Sequence, residues 1–146
     1  KEDLFKKIVK VRFVPGARNF IRNLHRNGFR LALVTGTARH EMLQILPENI
    51  RRHFQLLITG SEVKIGKPHP EPYLLALRRL RLKSSQAIVV ENAPFGIQSA
   101  KAAGIRCFAI ATSLPKMYLK EADYLFDSIP DMEQRIHFAP CETAKK

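Results

Sequence analysis

Three short stretches carry residue types suited to handling a phosphorylated molecule. Thr35-Gly36-Thr37 places two hydroxyls and a glycine directly after an apolar run. Hydroxyls, an unencumbered backbone and the free N–H groups of a following helix are what a phosphate oxygen requires. The same tripeptide is also suited to capping that helix, with Thr35 or Thr37 as the capping side chain. Lys67 stands between Gly66 and Pro68. The proline holds the residue before it in extended geometry, so the ammonium is aimed rather than free. Such a lysine can clamp a transferring phosphoryl group, or it can be an exposed loop residue. His69 is a candidate base, although a histidine between two prolines is more often a turn residue. Glu91 and Asn92 close the apolar run Ile88-Val89-Val90, where a carboxylate is costly unless a cation meets it. Mg2+, which takes oxygen ligands, is one such cation. A lysine or arginine across the cleft is another, Lys67 among them, and the two do not exclude each other.

Alternating helix and strand patterns must position these groups. Residues 1–10 read as a helix with Leu4, Phe5, Ile8 and Val9 on one face, and a second helix follows Pro15-Gly16 and stops at Asn27-Gly28. Phe29 to Thr35 reads as a buried strand, residues 38–46 as a helix and Leu56 to Thr59 as a strand. A helix over Glu71 to Leu82, a strand over Ala87 to Glu91 and a helix over Phe95 to Ala103 come next. Strand Arg106 to Ala111, a helical turn near Met117, strand Tyr124 to Phe126 and a last helix from Pro130 complete the pattern. Strands alternating with helices through short connections predict an α/β fold, its parallel sheet covered on both faces. Ligands collect beyond the carboxyl ends of such strands, here just after Val34, Ile58, Val90 and Ile110.

Composition removes several classes. The chain of 146 residues is 45% hydrophobic and 26% charged, the balance of an ordinary globular domain. No apolar run approaches the roughly 18 residues of a membrane helix, and no membrane partner is expected. Cys107 and Cys141 form no C-x-x-C pair, so a disulfide scaffold or zinc site is not expected and a cytoplasmic setting is. Lysine and arginine number 25 against 13 acids, a net charge of +12 that attracts polyanions or phosphorylated small molecules. Arg18, Arg22 and Arg26 form one stripe at helical spacing, and Arg78, Arg79, Arg81 and Lys83 form a second group. The chain carries no aromatic RNA-binding pattern, zinc knuckle or GXXG clamp, so nucleic acid is not the expected partner.

Taken in order, these stretches resemble the haloacid dehalogenase-like hydrolase superfamily, in its phosphatase and β-phosphoglucomutase-like branch. The resemblance rests on Leu33 to Thr37, Gly66 to Tyr73, Val89 to Ile97 and Ala100 to Gly104, with Pro15-Gly16 at the entry helix. It implies a three-layer Rossmann-like core with a mainly parallel sheet. It further implies that Thr35, Gly36, Thr37 and Lys67 bind phosphate, with Thr35 and Lys67 the catalytic groups, and that Glu91 and Asn92 hold Mg2+. The substrate implied is a small phosphorylated metabolite, and the activity that of a phosphatase or sugar-phosphate mutase.

The chain departs from the family pattern at two points. Asn92 stands where members usually carry a second acid, which lowers the charge available to a metal. The nucleophilic Asp of the family, in a D-x-D pattern at the end of its first strand, has no counterpart here, since Asp3, Asp123, Asp127 and Asp131 form no D-x-D. That strand is central in the family, lying between those read at 29–35 and 87–91. Its loss leaves two unpaired edges. At about 1 kcal/mol per hydrogen bond and about 1.5–3 kcal/mol per buried aliphatic, the loss approaches a domain's roughly 5–15 kcal/mol stability. The expected remedies are an N-terminal portion, a partner chain supplying the strand, or the tail Arg135 to Ala139 filling the gap. The expected organisation is a remnant of a helical cap over residues 1–12, the core over 13–138 and a flexible tail over 139–146. The activity expected is that of the core portion of a phosphatase acting through an aspartyl-phosphate, inactive without its nucleophile. The alternative is a non-catalytic module of the same fold whose basic surface binds RNA or another polyanion.

Overall fold

A computed structural model of the chain describes residues 12–140. The helix read over residues 1–10 and the tail from Cys141 lie outside the described residues. Elements follow the expected order, each set by its pattern of buried side chains. Helix α1 (Ala17–Arg26) buries Phe20 and ends at Asn27, and Arg18, Arg22 and Arg26 form the exposed stripe expected of them. Strand β1 (Ala32–Val34) leads to α2 (Arg39–Ile45), α3 (Glu48–Arg51) and β2 (Leu56–Ile58). Helix α4 (Glu71–Leu80) precedes β3 (Ile88–Glu91), α5 (Pro94–Ala102), β4 (Arg106–Ile110), β5 (Tyr124–Phe126) and α6 (Ile129–Arg135). Short 3-10 turns occupy Ser84–Gln86 and Lys116–Leu119.

Most boundaries fall within one or two residues of the sequence reading, and two of the differences have a clear local reason. The strand expected over 29–35 shortens to three residues, because Phe29 is still tied to α1 through its N–H to the Leu24 carbonyl at 3.0 Å. Helix 38–46 stops at Ile45, where Pro47 turns the chain into the separate turn α3.

All strand pairings among the described residues are parallel. Strand β1 pairs with β2 in the register Val34 to Ile58, and β3, β4 and β5 form a second sheet in that order. Strand β4 shows why three layers form. Cys107 and Ala109 point into a core with Tyr73 and Leu77 of α4 and Ile97 and Ala100 of α5. Phe108 and Ile110 point the other way, into a core with Phe20 of α1 and Ile129 and Met132 of α6. Side chains alternate across a strand, so one apolar run serves both layers. Helix α4 joins the two sheets, packing on β1 and β2 as well as on α5.

The two sheets are not hydrogen-bonded to each other. Between β1 and β3 lies a cavity of about 1140 Å³, walled by Ala32, Leu33 and Val34 on one side and Ile88, Val89 and Val90 on the other. Ile88 and Val90 remain 45% and 40% exposed, so the expectation of a sheet covered on both faces fails at this strand. The reason is the open edge itself: the layer that buries Phe108 and Ile110 on β4 does not extend over β3. The tail reaches the cavity, where Phe138 and Pro140 line it, but it does not close it.

Candidate active site

The carboxyl ends of β1 and β3 meet through one side chain. Lys67 lies in the loop that enters α4, and its ammonium donates to the Val34 carbonyl at 3.0 Å and to Glu91 Oε1 at 2.5 Å. It thus spans the mouth of the cavity, from the residue before Thr35 to the end of β3. The loop that aims it is held at several points. Ser99, fully buried in α5, donates to the His69 carbonyl at 2.7 Å. Glu71 accepts from the N–H groups of Lys64 and Ile65 at 2.8 and 3.0 Å, which holds its carboxyl below the usual range through the Lys64 hydrogen bond first, despite opposing burial. The Lys67–Pro68 peptide bond is cis. His69 is a turn residue, its Nδ1 accepting from the Glu71 N–H at 3.2 Å.

Glu91 is turned inward. Besides Lys67, its Oε1 accepts from the Tyr73 hydroxyl at 2.8 Å, and Oε2 accepts from the Asn92 N–H at 3.0 Å. Its side chain is 9% exposed against 18% for Lys67. An ion pair partly withdrawn from water is held best when further hydrogen bonds satisfy the remaining lone pairs, and Tyr73 and Asn92 supply them. Burial raises the pKa of the Tyr73 phenol, and the neighbouring Glu91 carboxylate raises it further, so Tyr73 remains a donor. Gly96 is required here, because a Cβ at that position would overlap the Glu91 carboxylate. Burial, followed by Glu91 and Asp123, likewise pushes the Cys107 thiol up to about 12, leaving it a packing group rather than a nucleophile.

At the end of β1, Thr35 continues the pairing with its N–H on the Ile58 carbonyl at 2.9 Å. Its hydroxyl oxygen accepts from the Thr37 N–H at 3.2 Å, leaving the hydroxyl proton free to donate. Neither threonine caps the helix: the capping position of α2 is Ala38, without a side-chain hydrogen bond. The first helical N–H, that of Arg39, donates to Ser61 Oγ at 3.0 Å. The expected supply of free helix N–H groups is therefore partly committed, and Gly36 presents the open backbone of this loop. Asn92, exposed at the end of β3, donates through Nδ2 to Ser113 Oγ at 3.4 Å.

The structure thus brings Lys67, Glu91 and the backbone just before Thr35 together, and places Asn92 beside Glu91. Sequence reasoning missed the part played by Tyr73. A tyrosine among the buried positions Pro72, Ala76, Leu77 and Leu80 of α4 was the available signal, since a buried phenol needs an acceptor.

As a metal site the described residues are incomplete. Mg2+ takes about six oxygen ligands in near-octahedral order. Glu91 and Asn92 offer one carboxylate already matched by Lys67 and one neutral amide. Among the described residues no group of three or more His, Cys, Asp or Glu side chains is placed to hold an ion. The described aspartates are engaged elsewhere: Asp123 with Lys101 at 2.5 Å, Asp127 with Lys116 at 2.7 Å, and Asp131 with Arg135 at 3.4 Å.

Comparison with known proteins agrees with this architecture. A phosphorylated carbohydrates phosphatase of Thermotoga maritima is 34% identical over 116 residues, 78% of this chain and 53% of that protein. A validoxylamine A 7'-phosphate phosphatase of Streptomyces hygroscopicus subsp. limoneus is 36% identical over 82% of this chain and 56% of its own length. The chain therefore spans about half the length of the curated relatives it matches. Among solved structures, a Bacteroides vulgatus protein provisionally named a β-phosphoglucomutase superposes with a TM-score of 0.79 at 37% identity, covering 92% of this chain and 56% of that one. CbbY from Rhodobacter sphaeroides in complex with phosphate gives 0.75 at 28% identity, covering 88% and 60%. The fold is the Rossmann-like core these structures share, and the family model for haloacid dehalogenase-like hydrolases matches residues 1–110. The chain belongs to the haloacid dehalogenase-like hydrolase family.

Proposed function

We propose that this chain is the core portion of a phosphatase of small phosphorylated metabolites, and that it becomes active when a strand-forming segment occupies the cavity between β1 and β3. The observation that carries this reading is the position of Lys67. Its ammonium ties the end of β1 to the end of β3 across the cavity mouth, so a strand lying between them would deliver its last residues beside the lysine. An Asp on that segment is the nucleophile of this reading, because the described aspartates are all paired elsewhere.

In this reading Thr35 donates its hydroxyl to a phosphoryl oxygen and Gly36 presents its N–H. Thr37 orients Thr35 through the bond to Oγ1, and the Lys67 charge offsets that of the phosphoryl group. Glu91 holds Lys67 at that position. The Mg2+ requirement we assign to the complete enzyme draws on Glu91 and Asn92 only in part, its remaining ligands coming from the segment in the cavity. The relatives' names, which include phosphatases of phosphorylated carbohydrates and of phosphoglycolate, support a small phosphorylated substrate.

The test is hydrolysis of sugar phosphates by the chain alone and by a chimera in which the upstream half of the Thermotoga maritima phosphatase precedes Lys1. The chimera is expected to release phosphate in the presence of Mg2+ and to lose at least about a hundredfold in rate on Lys67→Ala. The chain alone is expected to release none. Enzyme-like turnover by the chain alone, or a chimera indifferent to Lys67→Ala, would contradict the proposal.

A further inference from the structure

We propose that Glu62, acting with Arg39, is a positioning residue that fixes the Thr35–Thr37 loop in its phosphate-binding geometry. This inference rests on the reading of that loop as the phosphate site. Glu62 and Arg39 lie 23 positions apart and belong to none of the stretches that carry the family resemblance.

The loop after β2 is built around the Glu62 carboxylate. Oε2 accepts from the Thr59 N–H at 2.6 Å and from the Thr59 hydroxyl, and Oε1 accepts from Arg39 Nε. Thr59 is fully buried and the Glu62 side chain is 13% exposed, whereas the Arg39 side chain is 42% exposed. Arg39 extends the connection through Nη2 to the Leu57 carbonyl at 3.3 Å and through its own N–H to Ser61 Oγ at 3.0 Å. Burial alone would raise the pKa of Glu62. The hydrogen bonds from Thr59 and Arg39 outweigh it and hold the carboxyl below the usual range, so the bridge is charged at neutral pH.

The carboxylate reaches the phosphate loop through Gly60. The Gly60 N–H donates to the Thr37 carbonyl at 2.9 Å. The approach is close enough that a Cβ on Gly60 would overlap the Gly36 carbonyl oxygen. Thr59 on one side and Ser61 on the other are both bound into the Glu62–Arg39 bridge, so Gly60 has little freedom to leave the Thr37 carbonyl. Thr37 in turn holds Thr35 Oγ1 through its N–H. A chain of hydrogen bonds thus runs from Glu62 through Thr59, Gly60 and Thr37 to the hydroxyl assigned to the phosphoryl group, while neither Glu62 nor Arg39 hydrogen-bonds Thr35 itself.

Inorganic phosphate titrated into the isotope-labelled chain, followed at the Gly36 and Thr37 amides by NMR, tests this directly. Wild type is expected to give a saturable shift that Lys67→Ala removes. Glu62→Gln and Arg39→Gln are each expected to weaken the apparent phosphate affinity at least about fivefold and to speed Gly60 amide exchange, with protection of the β4 amides unchanged. The double variant is expected to be no weaker than either single one, since the pair acts as a unit. If Glu62→Gln does not fold, Arg39→Gln carries the test from its half-exposed position. A wild-type response removed by Lys67→Ala but untouched by either bridge variant would overturn the positioning role while leaving the phosphate reading intact. Absence of any shift at Gly36 and Thr37 in the wild type would overturn the phosphate reading and this inference with it. In that case loss of Gly60 protection in the variants would mark the bridge as purely structural.

Discussion

Lys67 Nζ lies 2.5 Å from Glu91 Oε1 while also donating to the Val34 carbonyl, so a single partly buried ion pair bridges two sheets that share no hydrogen bond. The pair is the cross-strut of the cavity mouth. Its removal therefore has a structural consequence as well as a chemical one.

Lys67→Met leaves the largely enclosed Glu91 carboxylate without its cation, held only by Tyr73 and the Asn92 N–H. Breaking one side of a fully buried pair costs about 3–5 kcal/mol, and replacing both partners by neutral groups costs much less. With Lys67 partly exposed and Tyr73 and the Asn92 N–H still donating to Glu91, a loss of about 1–3 kcal/mol is expected here. Chemical denaturation is expected to show that loss for Lys67→Met and substantial recovery in Lys67→Met/Glu91→Gln. A double variant as unstable as Lys67→Met alone would contradict the burial argument.

Tyr73 holds the Glu91 carboxylate in place and Gly96 leaves room for it. Tyr73→Phe removes one donor from it and is expected to lower stability by about 1–3 kcal/mol, the range for hydrogen bonds to charged groups. Gly96→Ala inserts a methyl where the carboxylate sits and is expected to cost about 1–3 kcal/mol through overpacking. Urea midpoints measure both. A wild-type midpoint for Gly96→Ala would mean that Glu91 is free to swing away.

Acid stability is expected to depend on Asp123. Its hydrogen bond from Lys101, then that from the Cys107 N–H at 2.7 Å, outweighs its burial and lowers its pKa from the ordinary value of 3.8. A depressed folded-state pKa contributes stability that is present above 3.8 and lost as pH falls through the lower folded value. The melting temperature of Asp123→Asn is therefore expected to lie below wild type at pH 6, with the gap narrowing as pH drops below 3.8. A gap that stays constant across that window would remove Asp123 as its cause.

Much of this arrangement could be read from residue order. The alternation of strands and helices, the stretch around Lys67 and the acid closing β3 are local patterns, and the cost of a carboxylate at the end of an apolar strand points to Lys67 as one partner of Glu91. Other features depend on what the chain does at a distance. Thr35 could not be told from a helix cap, because that depends on whether Ala38 or a threonine takes the capping position. Strand β1 is shorter than its apolar run, since Phe29 stays tied to the end of α1. The helical spacing of α4 marks Tyr73 as a buried phenol in need of an acceptor without naming Glu91, and the bridge from Glu62 to Arg39 joins elements that only tertiary packing brings together, with no periodicity to mark it.

The central claim, that β1 and β3 are facing edges awaiting a strand, is tested most directly by hydrogen exchange at Ala32–Val34 and Ile88–Val90. In the chain alone, the amides pointing into the cavity are expected to exchange rapidly, and in the Thermotoga maritima chimera to slow by about a hundredfold or more. Equal protection of those amides in both proteins would contradict it.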